Sequence, residues 1–249
     1  MIIIKNSSEV RKMMKAGQIV AKVLNVVGES VSPGMTTAEI DRIASKIIKE
    51  GRATASFKGY GGFPASVCTS VNNQVIHGIP GSYRLVEGDI ISVDVGVCCD
   101  GFHADAARTF PVGNISPESA RLIDVTEQSF FKALEVCREG NRVSDISRAV
   151  QSYVEENGFS VVRNFVGHGL GRSLHEEPEI PNYVGRKISG SPRLENGLTI
   201  AVEPMVNQGS FDVDTLDDGW TVVTKDGSLS AHYENSIAVT KGEAVILTF

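Results

Sequence analysis

The sequence predicts an α+β fold built from two halves that are related by an approximate two-fold axis. Three observations lead to this expectation. A pair of helices with similar end signals occurs twice, a strand that closes on an acid follows each pair, and an Asp-Gly hairpin joins two apolar runs. Because the matches recur in the same order and far apart, they indicate a duplicated domain. We expect one domain over residues 1–249, with halves at about 1–113 and 114–249.

The first helix pair lies in the first fifty residues. Apolar residues recur at helical spacing over about 8–30, which predicts a long helix that ends before VSPG. Thr36 followed by Glu39 forms a capping-box pattern, so a second helix should begin there. It should end at Gly51, since glycine is typical just beyond a helix.

The second helix pair repeats this arrangement. Ser116-Pro117-Glu118 predicts a helix start, and that helix should run through Glu139 to Gly140. The segment SDISRAVQSYVEENG then predicts a capped helix. When the two pairs are aligned at their stop glycines, GMTTAEIDR matches GNRVSDISR in the glycine, an acid, the isoleucine and the arginine.

A strand with a closing acid follows each pair. GDIISVD ends in Asp94 and GLTIAVE ends in Glu203, and an H-x-x-P segment precedes each of them, at His77 and His175. An acid that ends an apolar strand is costly to bury unless something pairs with it. The repetition therefore predicts that both acids lie at corresponding points of a shared sheet.

The stretch VDVGVCCDGFHADAART predicts a hairpin with its turn at Asp100-Gly101, because both residues tolerate the positive φ of a two-residue turn. Counting outward from the turn places Gly96 opposite Asp105. Asp94 and Asp105 then share a face as diagonal neighbours. Two carboxylates so close must share a proton, face solvent or hold a cation.

Composition excludes several classes of function. The formal net charge of −6 and the lack of a Lys/Arg-rich run argue against nucleic-acid binding. The longest apolar stretches are strand-sized, so we expect neither a secretion signal nor a membrane span. The four cysteines have neither metal-binding nor dense disulfide spacing, which favours a reducing, cytoplasmic location. G-x-S-x-G is absent, and Glu179 stands where H-E-x-x-H would need histidine.

Four acids and one histidine form the candidate site. Glu234, in the strand-like AHYENSIAVT, and His168, in VGHGLG, join Asp94, Asp105 and Glu203. Oxygen donors with one nitrogen suit two divalent cations about 3.5–4 Å apart. Such ligands favour Mn, Fe, Co or Zn without selecting one of them.

This ordered set resembles the dinuclear site of the pita-bread metallopeptidases, and the surrounding segments are similar to the type I methionine aminopeptidases of bacteria. The likeness covers nearly the whole chain. Its motifs are SVCTSVNNQVIHGIPG (66–81), GDIISVDVG (88–96), GFHADAARTFPVG (101–113), GHGLGRSLHEEP (167–178), EPMVN (203–207) and DGWTVVTKDGSLSAHYENSIAVT (218–240). The resemblance implies a pita-bread fold, with helices packed on a curved antiparallel sheet and the metals between the halves.

The resemblance implies a metal-binding role for each of the five residues. Asp94 would bind one ion, His168 and Glu203 the other, and Asp105 and Glu234 would bridge them. The ions would activate a water that attacks the first peptide bond. Glu203 would also act catalytically, by moving the proton to the leaving amine.

The resemblance also implies the contacts with substrate. His175 would donate a hydrogen bond to the scissile carbonyl, and His77 would contact the amide nitrogen. One departure from the family pattern is Gly96, where many members carry Thr or Ser beside the metals. The methionine side chain would enter an apolar pocket formed by Phe57, Tyr60, Phe63, Cys68, Leu174 and Trp220.

The implied activity is removal of the N-terminal methionine from nascent proteins and peptides, preferentially when the second residue is small. The ribosome is then a transient partner, and the family default is a monomer. Two alternatives remain at this stage. A proline-specific peptidase uses the same ligands, but we expect no room for its usual additional N-terminal domain. A non-catalytic binding protein of this fold would usually have lost ligands, whereas all five are present.

Overall fold

The computed structural model describes residues 1–185 and 190–249. Within these residues the helices are α1 (Ser7–Ser30), α2 (Thr37–Glu50), α3 (Pro117–Val136) and α4 (Val143–Glu156). The strands are β1 (Thr54–Ala55), β2 (Cys68–Val71), β3 (Gln74–Ile76), β4 (Ile90–Cys99), β5 (Phe102–Pro111), β6 (Ser160–Val161), β7 (Gly167–Gly169), β8 (Glu176–Ile180), β9 (Thr199–Val202), β10 (Met205–Asn207), β11 (Val213–Thr215), β12 (Val222–Thr224), β13 (Ser230–His232), β14 (Asn235–Ala238) and β15 (Val245–Ile246). No helix in the described parts is long and apolar enough to cross a membrane.

The predicted capping box of α2 is present, and α1 has one that was not predicted from the sequence. In α2 the Thr36 hydroxyl accepts from the Glu39 backbone N–H, and the Glu39 carboxylate accepts from the Thr36 N–H. Asn6 and Glu9 form the same reciprocal pair at the start of α1. Each capping box satisfies backbone donors that a helix start leaves without partners.

The prediction that the third helix reaches Glu139 is wrong, because α3 ends at Val136. The N–H groups of Cys137 and Arg138 bond to the nearby Leu134 and Val136 carbonyls at 3.0 Å, outside the α-helical pattern, and the two that follow bond to distant parts of the chain. The N–H of Glu139 donates to the Thr240 carbonyl at 2.9 Å, and that of Gly140 donates to the Leu194 carbonyl at 3.0 Å. Since these donors no longer face the preceding helical turn, the helix stops before the glycine.

The Asp-Gly hairpin forms in the predicted register. Asp100 and Gly101 have φ of 52° and 76°, as a primed two-residue turn requires, and Gly96 lies opposite Asp105. Val93 and Val95 of β4 point into the core beneath α1 and α2. Because side chains alternate along a strand, Asp94 and Asp105 lie on the opposite face.

All strand pairs among the described residues are antiparallel. The larger sheets carry the two halves: β4 pairs with β1, β2 and β5, while the other sheet runs β15-β14-β9-β7-β8. The smaller sheets run β13-β10-β6 and β11-β12-β3. Helices α1 and α2 pack over the first sheet, and α3 and α4 cover the core of the second half. This arrangement confirms the α+β prediction.

One backbone contact recurs in the two proposed halves, which meet at strands that carry the candidate site. The N–H of Gly34 donates to Leu85 in the first half, as that of Gly140 does to Leu194 in the second. The halves join where Ala107 in β5 and Glu234 exchange backbone hydrogen bonds of 3.3 and 3.0 Å. We propose a single domain with halves at about 1–113 and 114–249.

Candidate metal centre and active site

The structure brings the five predicted ligands together from different strands of both halves. Asp94 lies in β4, Asp105 in β5 and His168 in β7, while Glu203 directly follows β9 and Glu234 directly precedes β14. His168 Nε2 is 3.6 Å from Glu203 Oε1 and 3.8 Å from Asp105 Oδ2. One donor atom from each of Asp105, His168 and Glu234 lies within 4.8 Å of the others. Residues from both halves therefore form one cluster.

The four carboxyl groups are buried beside one another. Burial is the largest cause that raises the pKa of each, and nearby carboxylates raise the pKa of Asp94, Glu203 and Glu234 further. For Asp105, burial raises the pKa to about 6. Several like charges in one enclosed space are unstable without protons or cations among them.

The hydrogen bond of His168 fixes which ring nitrogen is free. Its Nδ1 lies 2.8 Å from the Gly169 carbonyl oxygen, which can only accept. Nδ1 therefore carries the hydrogen, and burial lowers the pKa of the ring and so favours the neutral form. Nε2 then presents a lone pair towards Glu203 and Asp105. Lone pairs facing carboxylates are expected when a cation lies between them.

The remaining donors also fit a divalent cation. Asp94 Oδ1 is buried and has no hydrogen-bond partner among the described residues. A buried carboxylate oxygen without a donor is costly. Carboxylate oxygens with one imidazole nitrogen are a ligand set for divalent metals of the first transition row. The residues therefore fit the predicted cofactor.

A cavity of about 200 Å³ opens beside this cluster, and every residue predicted for the site lines it. The apolar wall includes Phe63 and Trp220, whose rings meet edge to face at 5.1 Å. Burial raises the pKa of the Cys68 thiol well above its usual value, so this wall residue is neutral. The lining residues are Phe57, Tyr60, Phe63, Cys68, Ile76, His77, Asp94, Asp105, Phe165, Val166, His168, Leu174, His175, Glu203, Trp220 and Glu234.

Sequence reasoning missed three of the lining residues, namely Ile76, Phe165 and Val166. Their positions offered a signal. Ile76 directly precedes His77, and the other two precede the Gly-His-Gly segment of β7. Residues beside a predicted site residue are natural candidates when the chain enters a cavity at that point.

The structure gives a physical reason for Gly96. A Cβ atom at this position would lie 2.6 Å from Cε1 of Phe57 and 3.0 Å from Cβ of Ser56. The Phe57 ring thus occupies the space that a side chain at residue 96 would fill. This pair shapes the cavity wall next to Asp94.

The two histidines predicted to be catalytic, His77 and His175, also line the cavity. His77 has a φ of 60°, and its ring meets that of Phe165 at 5.7 Å. Burial first, then the neighbouring His175, lowers the pKa of His77 to about 4. For His175, burial and then His168 lower the pKa to about 4. His175 Nδ1 lies 2.7 Å from the Tyr60 hydroxyl.

Known proteins similar to this chain include bacterial methionine aminopeptidases. The methionine aminopeptidase of Clostridium perfringens is 60% identical over 100% of this chain and 99% of its own length, and methionine aminopeptidase 1 of Bacillus subtilis is 51% identical. That similarity covers 100% of this chain and 99% of the Bacillus protein.

Solved structures extend the similarity to the fold. The crystal structure of methionine aminopeptidase from Thermotoga maritima superposes with a TM-score of 0.96 at 44% identity, covering 100% of this chain and 99% of that one. A prolidase from Pyrococcus furiosus, at 19% identity and a TM-score of 0.79, shares the fold and is the longer chain, with 65% of it covered. The pita-bread prediction is therefore confirmed. Residues 11–241 match metallopeptidase family M24, and the chain belongs to that family.

Proposed function

We propose that this chain is a methionine aminopeptidase that hydrolyses the first peptide bond of methionyl peptides with two bound divalent ions. One observation carries the proposal: four buried carboxyls and the free Nε2 of His168 meet beside an apolar cavity of about 200 Å³. Full-length relatives that are 51–60% identical carry the same name.

Each ligand has an assigned place. Asp94 would hold one ion, His168 and Glu203 the second, and Asp105 and Glu234 both. Bound divalent ions would lower the pKa of water and polarise a carbonyl group. The protein supplies a fixed set of donors, because each of these residues lies in or next to a paired strand.

Glu203 is the residue that moves the proton. Its carboxyl is buried, and its pKa is raised by that burial and by Asp105 and Asp94. A carboxyl of this kind can take a proton from the attacking water and later give it to the leaving amine. The Oε1 atom of Glu203 lies 3.6 Å from His168 Nε2, which places the Glu203 carboxyl within the ligand cluster.

The histidines and the cavity position the peptide. His175 would donate to the oxygen of the scissile carbonyl, where negative charge develops, and His77 would contact the amide nitrogen. The enclosed apolar wall fits one methionine side chain. We also propose a preference for a small second residue, which the resemblance to the methionine aminopeptidases implies.

The experiment compares peptides that separate the candidate functions. Metal-loaded protein is incubated with Met-Gly-Met-Met, with a peptide carrying Phe as its second residue, and with Xaa-Pro peptides, and the released amino acids are quantified. We expect methionine from the first peptide and little from the others. Cleavage before proline would place the chain with the proline-specific peptidases. Absence of turnover with Mn, Fe, Co or Zn would favour a binding protein.

The broader setting follows from this activity. We propose that the chain acts in the cytoplasm on nascent polypeptides, as a monomer that meets the ribosome transiently. Size-exclusion chromatography with light scattering tests whether the chain is a monomer. Co-sedimentation with ribosomes that carry nascent chains tests whether it binds the ribosome.

A further inference from the structure

Tyr60 makes a contact that a simple wall of the methionine pocket does not need. It is 48% exposed, so water could satisfy its hydroxyl. Instead the hydroxyl oxygen lies 2.7 Å from His175 Nδ1, and the two rings are 5.1 Å apart. A half-exposed tyrosine is thus aimed at one nitrogen of a histidine in the site.

The loop around Tyr60 holds the phenol in this position. Its flanking residues Gly59 and Gly62 have φ of 85° and 94°, values that favour glycine. The Tyr60 N–H donates to the Phe57 carbonyl at 2.9 Å, and the Phe63 N–H donates to the Tyr60 carbonyl at 2.9 Å. The turn is therefore closed by its own backbone before any substrate arrives.

Gly61 fastens the same loop to the pocket wall. A Cβ atom there would lie 3.3 Å from Cη2 of Trp220, so the backbone packs closely on the indole. Trp220 in turn packs against Phe63 at the end of the loop. The contacts of Gly61 and Phe63 with Trp220 hold this side of the loop against the pocket wall, next to the phenol.

The Nδ1 atoms of His168 and His175 face hydrogen-bonding partners of different kinds. The ring centroids of His168 and His175 are 4.2 Å apart. His168 Nδ1 faces a carbonyl oxygen, which can only accept, whereas His175 Nδ1 faces a hydroxyl, which can donate. A neutral imidazole carries one ring hydrogen. The hydrogen-bond partner of one ring nitrogen therefore decides which of the two nitrogens carries it.

We propose that Tyr60 is a positioning residue, which donates its hydroxyl hydrogen to His175 Nδ1 and so keeps the imidazole hydrogen on Nε2. This inference rests on the proposed function, in which His175 Nε2–H donates to the scissile carbonyl. Two adjacent histidines then hold opposite tautomers: His168 offers a lone pair to a cation, and His175 offers a hydrogen to the substrate oxygen.

The first test reads the tautomer directly. Zinc-loaded protein labelled with 15N-histidine is examined by NMR. Protonated and unprotonated ring nitrogens have different 15N chemical shifts. The His175 signals are assigned with a His175→Ala variant. We expect hydrogen on Nε2 of His175 and on Nδ1 of His168. In Tyr60→Phe the His175 signals should move towards a mixture of tautomers. Hydrogen on Nδ1 of His175 in the unaltered protein, or an unchanged tautomer in Tyr60→Phe, would overturn the proposal.

The second test uses kinetics with a matched control. Tyr60→Phe keeps the ring that lines the cavity, so we expect kcat to fall about tenfold to 100-fold while KM changes less than about twofold. Tyr83→Phe is the control, since Tyr83 is 49% exposed and its hydroxyl donates to Asp89, away from the site. A rise in KM at constant kcat would make Tyr60 a pocket wall only and overturn the proposal.

Failure of the two proposals is distinguishable. If the unaltered protein releases no methionine, the proposed function is wrong, and the NMR signals still decide which nitrogen of His175 carries the hydrogen. If methionine is released and Tyr60→Phe matches the unaltered protein in kcat, the function stands and the positioning role is overturned.

Discussion

Replacement of Gly96 by alanine should destabilise the protein through close contacts, the closest of them with the Phe57 ring. The new Cβ would lie 2.6 Å from Cε1 and 3.0 Å from Cζ of Phe57, whereas packed carbon atoms are about 3.5–4.0 Å apart. The ring must therefore move by about 1 Å. Overpacking of this kind costs about 1–3 kcal/mol, so we expect the free energy of unfolding to fall by about 2 kcal/mol.

A double-mutant cycle measures this contact. Urea unfolding is followed for the unaltered protein, Gly96→Ala, Phe57→Leu and the double variant, with Gly242→Ala as a control because a Cβ there meets only Thr240 Oγ1 at 3.9 Å. Gly96→Ala should lower the free energy of unfolding by about 1–2 kcal/mol less in the Phe57→Leu background than in the unaltered protein. Equal losses in both backgrounds, or a Gly96→Ala protein as stable as the parent, would show that the Phe57 ring is not what excludes a side chain.

Other predictions concern buried groups and the metals. Lys5 and Glu176 form an ion pair whose side chains are 2% and 5% exposed. Lys5→Met should lower the free energy of unfolding, measured by urea unfolding, by about 3–5 kcal/mol. The double variant Lys5→Met, Glu176→Gln should recover part of this loss. Burial raises the pKa of Cys137 from 9.0 to about 12. Its neutral thiol therefore favours folding below pH 9, and this advantage is lost as pH rises. Between pH 8 and 10 the free energy of unfolding of the parent should fall by about 1 kcal/mol more than that of Cys137→Ala, whereas equal losses would contradict the shift. Mn²⁺ at about 100 times its Kd should raise Tm by about 5–10 °C in calorimetry, and an unchanged Tm would argue against a site formed only in the folded state.

The sequence was most informative where local chemistry dictates structure. Asp100-Gly101 fixed the hairpin register because few residues accept its positive φ values, and that register placed Asp94 and Asp105 on one face. Thr36 and Glu39 similarly marked a helix start. These features depend on residues only a few positions apart.

The sequence was least informative where distant segments decide the outcome. Helix α3 ends at Val136, and Glu139 and Gly140 beyond it donate hydrogen bonds to the distant Thr240 and Leu194 carbonyls. The Tyr60 to His175 hydrogen bond joins residues 115 positions apart. No local pattern encodes these contacts, because they join segments that lie far apart in the sequence.

The place of each ligand remains a prediction that metal titration can test. The structure brings Asp94, Asp105, His168, Glu203 and Glu234 together, and membership of family M24 shows metal-dependent peptidase chemistry. Which ion each residue holds, and how many ions bind, are parts of the proposal.

The most direct test measures bound metal and methionine release in the same samples. Metal-free protein is titrated with Mn²⁺ in the presence of Met-Gly-Met-Met, beside Asp105→Asn and the control Asp100→Asn, which makes the same change in the exposed turn of the same hairpin. We expect release to be absent without metal, to rise with bound Mn²⁺, and to be lost in Asp105→Asn but kept in Asp100→Asn. Full release from metal-free protein, or from Asp105→Asn, would contradict the account.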